Sequence, residues 1–138
     1  MGVRRKGREL ALSILYQIDL LSREKGDELC EKLGREHNYT PPSIEFAKEI
    51  VQGVTLNLPF IDSLIAKYSE NWDIQRMSII DRNILRMAVF ELLYREDIPP
   101  KVSIDEAIEL SKTFSEGEKS KDFVNGVLDR IYKEVVEK

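Results

Sequence analysis

Three groupings in this 138-residue chain have the residue types that catalysis uses. Gly117-Glu118-Lys119-Ser120 contains the glycine, lysine and serine of a phosphate-binding loop. It lacks that loop's spacing and the strand that must precede it, so nucleotide hydrolysis is not expected. Asp105-Glu106 and Glu116/Glu118 bring carboxylates together, but they fall where helix N-termini and turns favour acids, and their arrangement argues for structure over paired acid/base chemistry. Cys30 and His37 combine a thiol with a base, yet both lie in the weakest helical stretch and read as structural. As the single cysteine and the single histidine, they also exclude an internal disulfide and a two-histidine metal site. Asn38-Tyr39-Thr40 matches a glycosylation acceptor, with no secretory signal to give it access to that machinery. No enzyme activity, metal or cofactor is expected.

The residues suited to binding are more informative. Arg4, Arg5, Lys6 and Arg8 all precede the first acid, Glu9. Setting those four aside leaves 17 basic against 25 acidic residues, so a net charge of −4 resolves into a cationic arm and a body at −8. A local basic cluster attracts phosphates without a basic whole protein; the alternative is a solvated helix end. Near the other terminus, Lys112, Lys119 and Lys121 surround a turn that also carries Phe114 and Phe123. Cations beside aromatic rings are the equipment of single-stranded RNA readers, which neutralise phosphates and stack bases. Phe123 can instead belong to the core. Asn125-Gly126 is unusual inside a helix, and Gly126 is expected to permit close helix approach.

Helices must position these groups. Leu10, Ala11, Ile14, Leu15, Ile18 and Leu21 form a helical stripe, and Leu12, Tyr16 and Leu20 form a second one nearly opposite. Either the first helix is sandwiched within a bundle, or the second stripe docks a protein, with Tyr16 as an amphipathic anchor. Asp27 to Glu36 predicts a weaker helix, and Ser43 can cap a long third one carrying Ala47 through Tyr68, kinked at Pro59 without a change of apolar phase. Asp73 can cap a short turn, and Ser78 with Asp81 caps a helix that stops before Pro99-Pro100. Ser103 and Glu106 form a capping box for the next helix, with Ile104, Ala107, Ile108 and Phe114 inward. A last helix begins near Lys119. No segment alternates as a strand does, so the fold is expected to be all-α, six or seven helices in two small packed subdomains, residues 1–70 and 71–138. At 42% hydrophobic and 33% charged, with no apolar run long enough to span a bilayer, the chain reads as a compact cytoplasmic protein with no membrane partner.

The runs Asp81-Arg82-Asn83-Ile84-Leu85-Arg86 with Glu91-Leu92-Leu93, Ile98-Pro99-Pro100-Lys101-Val102-Ser103-Ile104-Asp105-Glu106-Ala107-Ile108-Glu109-Leu110, and Phe123-Val124-Asn125-Gly126-Val127-Leu128-Asp129 resemble the NusB family of bacterial transcription antitermination factors. The likeness extends to the basic N-terminus, Ala11 to Leu20 and Trp72, and so covers essentially the whole chain. The resemblance implies an all-helical, two-subdomain protein that binds the boxA element of nascent ribosomal RNA transcripts. It also implies a partner, the small-subunit ribosomal protein NusE, and through it an indirect connection to the elongating RNA polymerase. RNA contacts would fall on the N-terminal arginines, Phe114, the Lys119 turn and Phe123; partner contacts on Tyr16, Leu20 and Asp81. The chain departs from the family pattern at Asp81, where glutamate is common, at Lys119, often acidic, and at Ser115, often glycine. Two other readings are a protein-only helical interaction module and the RNA-targeting domain of a larger rRNA-modifying enzyme, for which this chain has no Gly-rich cofactor-binding unit.

Overall fold

A computed structural model describes residues 2–21, 26–70 and 73–137. Trp72 lies outside the described residues, as does part of the link around it. Seven α-helices and no strand are present among the described residues, divided between two compact units, Met1–Leu56 and Asn57–Lys138.

The first unit holds α1 (Val3–Leu21), α2 (Gly26–Glu36) and α3 (Pro41–Leu56). α1 packs chiefly on α3, with α2 against both. Leu10, Ala11, Ile14 and Leu15 of the expected stripe are buried, whereas Ile18 is half-buried and Leu21 exposed. Asn38 has a left-handed φ of 61°, and the Tyr39 amide donates to the Gly34 carbonyl at 2.8 Å. Asn38 therefore ends α2, a position where asparagine tolerates that conformation. The cap of α3 differs from expectation. The helix begins three residues earlier, Thr40 Oγ1 accepts from the Ser43 amide at 3.4 Å, and Ser43 is buried with its hydroxyl donating to the Val3 carbonyl at 2.8 Å.

The helix expected to run kinked through Pro59 is two helices. α3 stops at Leu56, Asn57 takes φ −116° and ψ 17°, and α4 spans Leu58–Tyr68 with Pro59 in its first turn, where a missing amide donor costs nothing. That break is also the unit boundary, which falls at 56/57 and not near 70. α4 belongs with the C-terminal half of the chain: Arg86 makes a bidentate pair with Asp62 at 2.8 and 2.9 Å, and Arg130 donates to the Tyr68 carbonyl at 3.0 Å.

The second unit continues with a 3-10 turn at Ile74–Arg76, α5 (Ile79–Tyr94), α6 (Pro100–Phe114), α7 (Ser120–Ile131) and a closing π-helical turn, Tyr132–Val136. The Asp73 carboxylate accepts from the Gln75 amide, and the Ser78 hydroxyl from the Asp81 amide, as their sequence positions predict. α5 is the axis of this unit, buried continuously from Arg82 to Leu92 and packed on α4, α6 and α7. A helix buried nearly all round belongs inside a core, and its buried polar groups Arg82, Asn83, Arg86 and Glu91 must find partners. One such partner explains a failed expectation. Ser103 does not cap α6, which starts at Pro100 without a side-chain cap; its buried hydroxyl donates instead to buried Glu91 at 2.7 Å.

Candidate nucleic-acid interface

Each unit carries one of the cationic elements expected from the sequence. In the first, a Cβ added to Gly7 would lie 2.8 Å from Phe46 Cδ2 and 2.9 Å from the Ser43 carbonyl oxygen. α1 therefore approaches α3 almost at backbone contact, and the next side chain, Arg8, is drawn inward. Arg8 is 4% exposed, its guanidinium 5.3 Å from the Phe46 ring centroid. This corrects the expectation of a four-cation arm: Arg8 is a packing residue, holding an aromatic face by a cation–π contact. Arg4, one turn earlier, sits over the same ring at 5.3 Å but is exposed; Arg5 is exposed, and Lys6 is half-buried, 3.7 Å from Glu9. Arg4, Arg5 and Lys6 are the cations at the surface.

The second stripe of α1 is graded. Leu12 is buried, Tyr16 half-buried and Leu20 half exposed. Leu12 is therefore core and cannot anchor a partner, while Tyr16 and Leu20 lie on the accessible end of the stripe.

In the second unit, the link between α6 and α7 is held by Asp81. Ser115, at the end of α6, donates its hydroxyl to Asp81 Oδ1, and Ser120, at the start of α7, donates to Oδ2 at 3.0 Å. Asp81, Lys119 and Phe123 line one cleft of about 300 Å³ together with Arg76, Met77 and Gly117. The cleft can hold a planar group against the half-buried Phe123 ring, with Lys119 and Arg76 to attract phosphate. Nothing in the sequence pattern marks Arg76 as a binding residue. Only its position closing the short turn capped by Asp73 hints that it faces the Lys119 link. Phe114 is not inward as expected. It is the last residue of α6, 42% exposed, because the helix ends there and the chain turns away. Lys112, exposed and 3.4 Å from Glu109, and Lys121, also exposed, do not line the cleft.

The thiol and the imidazole set aside from sequence lie in different surroundings. Cys30 is fully buried in α2, and burial, with the charge of Asp27 second, pushes its thiol up to about 12. His37 is exposed just beyond that helix. Among the described residues no three His, Cys, Asp or Glu side chains are grouped to hold a metal ion, and no helix is long and apolar enough to cross a membrane.

Comparison with known proteins agrees with this architecture along nearly its full length. The NusB family profile matches residues 5–133. The transcription antitermination protein NusB of Myxococcus xanthus is 48% identical over 134 residues, 95% of each chain. The solved T. maritima NusB is 41% identical with a TM-score of 0.87, covering 96% of this chain and 92% of its own. A crystal structure of the antitermination factors NusB and NusE with double-stranded RNA contains a chain 33% identical to this one, with a TM-score of 0.85 over 96% of this chain and 98% of that one. Likeness at this identity and over this span leaves one conclusion: the chain belongs to the NusB family.

Proposed function

We propose that the protein is a non-catalytic RNA-binding antitermination factor of the cytoplasm. It binds the boxA element of nascent ribosomal RNA transcripts together with the ribosomal protein NusE, and through that assembly acts on the elongating polymerase. Each unit supplies an RNA-contacting element: Arg4, Arg5 and Lys6 in the first, and Phe114, Arg76, Lys119 and Phe123 in the second. Tyr16 and Leu20 serve the partner. A relative crystallised with NusE and RNA supports this reading.

The observation that carries it is the exposure of Phe114 at the end of α6, the helix whose cap Ser115 leads into the Lys119 link. A large aromatic ring left in water, two residues after Lys112 in the chain, has a use when bases stack on it. Phe114→Leu keeps apolar volume but removes the π-face. It is expected to weaken boxA RNA binding by about 1 to 3 kcal/mol while leaving thermal stability unchanged. Wild-type affinity in that variant would remove base stacking at Phe114 from the mechanism.

A further inference from the structure

Phe123 also lines a second cleft. This cleft has a volume of about 420 Å³, and its lining includes Tyr68, Glu70, Asp122, Phe123, Gly126 and Arg130. Phe123 thus walls both this cleft and the one holding Lys119. Contrary to the expectation that Gly126 lets another helix approach, a Cβ added there meets nothing within 4 Å, and the residue is exposed in the middle of α7. Glycine inside a helix is destabilising relative to alanine, so a position that packing leaves free has no internal reason to carry one. Close approach of a ligand to the helix backbone supplies that reason.

The neighbours of Gly126 suit such a ligand. Phe123, Gly126 and Arg130 follow one another at three- and four-residue spacing and share a face of α7. Arg130 is held in place, donating to the Tyr68 carbonyl at 3.0 Å, with its guanidinium carbon 5.7 Å from the Tyr68 ring centroid and a nitrogen 3.9 Å from Glu70. A fixed, planar guanidinium offers a stacking surface beside an aromatic ring. Asp122 and Glu70 repel phosphate but accept hydrogen bonds from the amino group of a base edge. From this geometry we infer that the cleft is a nucleobase subsite. It receives an unstacked base of the single-stranded RNA adjacent to the one at Phe123, with the RNA passing over the bare backbone of Gly126. The inference rests on the RNA-binding reading above and extends its track along α7.

The test is a titration of the full chain with single-stranded boxA-like and scrambled RNA, with thermal melts of each variant. Gly126→Ala is expected to raise Tm by a few degrees, because it replaces glycine in an exposed helix, and yet to weaken boxA-like RNA binding. Gly126→Gln, which fills more of the cleft, is expected to weaken it about tenfold or more, with the salt dependence unchanged because a base contact and not a phosphate contact is lost. Wild-type RNA affinity in both variants would overturn the subsite alone. So would loss of NusE binding with RNA binding intact, which would assign the cleft to protein. Failure of the unmodified protein to prefer boxA-like over scrambled RNA would overturn the reading on which the subsite rests.

Discussion

Ser120 Oγ donates a hydrogen bond to Asp81 Oδ2 at 3.0 Å, across 39 residues of chain. Ser115 Oγ occupies the other carboxylate oxygen. One acid on α5 thereby holds both ends of the link that presents Lys119. The family resemblance implies a partner role for Asp81; the geometry adds an internal one, ordering the link before any RNA arrives. Its length also fits, since aspartate on this short path suffices where the serine hydroxyls come to it.

Asp81→Ala is expected to loosen the link. Two hydrogen bonds to a charged acceptor are lost, a cost of about 1 to 3 kcal/mol in stability, partly restored in Asp81→Asn. For RNA the two effects of the change have opposite signs. Removing a negative charge beside Lys119 favours phosphate, whereas disordering the link disfavours binding. Ordering is the larger effect, so Asp81→Ala binds RNA more weakly than wild type in the absence of NusE. Tighter binding in a direct titration would show that Asp81 affects the RNA only through its charge.

The arm makes a quantitative prediction that burial of Arg8 changes. With Arg4, Arg5 and Lys6 as the cations of the arm at the surface, replacing all three with alanine should flatten the log–log salt slope by about 2, close to a 20-fold difference in salt sensitivity between about 50 and 200 mM. Adding Arg8→Ala should lower stability without flattening the slope further. A further flattening would place Arg8 at the RNA.

The sequence pattern made the helices legible because their apolar residues recur at three and four, and the caps at Ser78 and Asp73 announce themselves locally. It misjudged what depends on pairs distant in the chain. Ser103 fits a local capping box, but buried Glu91 on the neighbouring helix needs its hydroxyl more. Arg8 looks like the three cations before it until Gly7 brings α1 onto Phe46. Pro59 can kink a helix or begin one, and only the packing of α4 on α5 through Asp62 and Arg86 selects the second. For the candidate site, charge and aromatic content pointed to the Lys119 link. Arg76 stayed hidden because nothing local ties a 3-10 turn to a loop more than a helix away.

Along α1, Leu12 is buried and Leu20 half exposed, which separates core from accessible surface. Leu12→Ala should cost about 2 to 5 kcal/mol of stability, as emptying a buried leucine site does. Leu20→Ala should change stability by less than about 0.5 kcal/mol and weaken NusE binding. Chemical denaturation and a NusE pull-down with purified components check both. A stable Leu20→Ala variant with undiminished NusE affinity would remove this end of the stripe from the interface.

Cys30 gives a pH dependence with a definite sign. Its folded thiol is raised from the ordinary 9.0 to about 12 by burial, so the folded protein keeps a proton that the unfolded chain releases. The contribution is fully present below pH 9 and is lost as pH rises from 9 through about 12. Cys30→Ala should show less alkaline destabilisation than wild type over that window. In the native protein the thiol should resist alkylation at neutral pH and react at full rate in denaturant; rapid native labelling would show that α2 opens readily.

Joint recognition of boxA RNA with NusE is tested most directly by titrating labelled boxA-like and scrambled single-stranded RNA at one fixed salt concentration, with and without saturating NusE. The expected result is a preference for the boxA-like sequence that NusE strengthens by about 5- to 150-fold, the range of a coupling of about 1 to 3 kcal/mol, with NusE affinity strengthened equally by RNA. Equal affinity for both RNAs, unmoved by NusE, would contradict it.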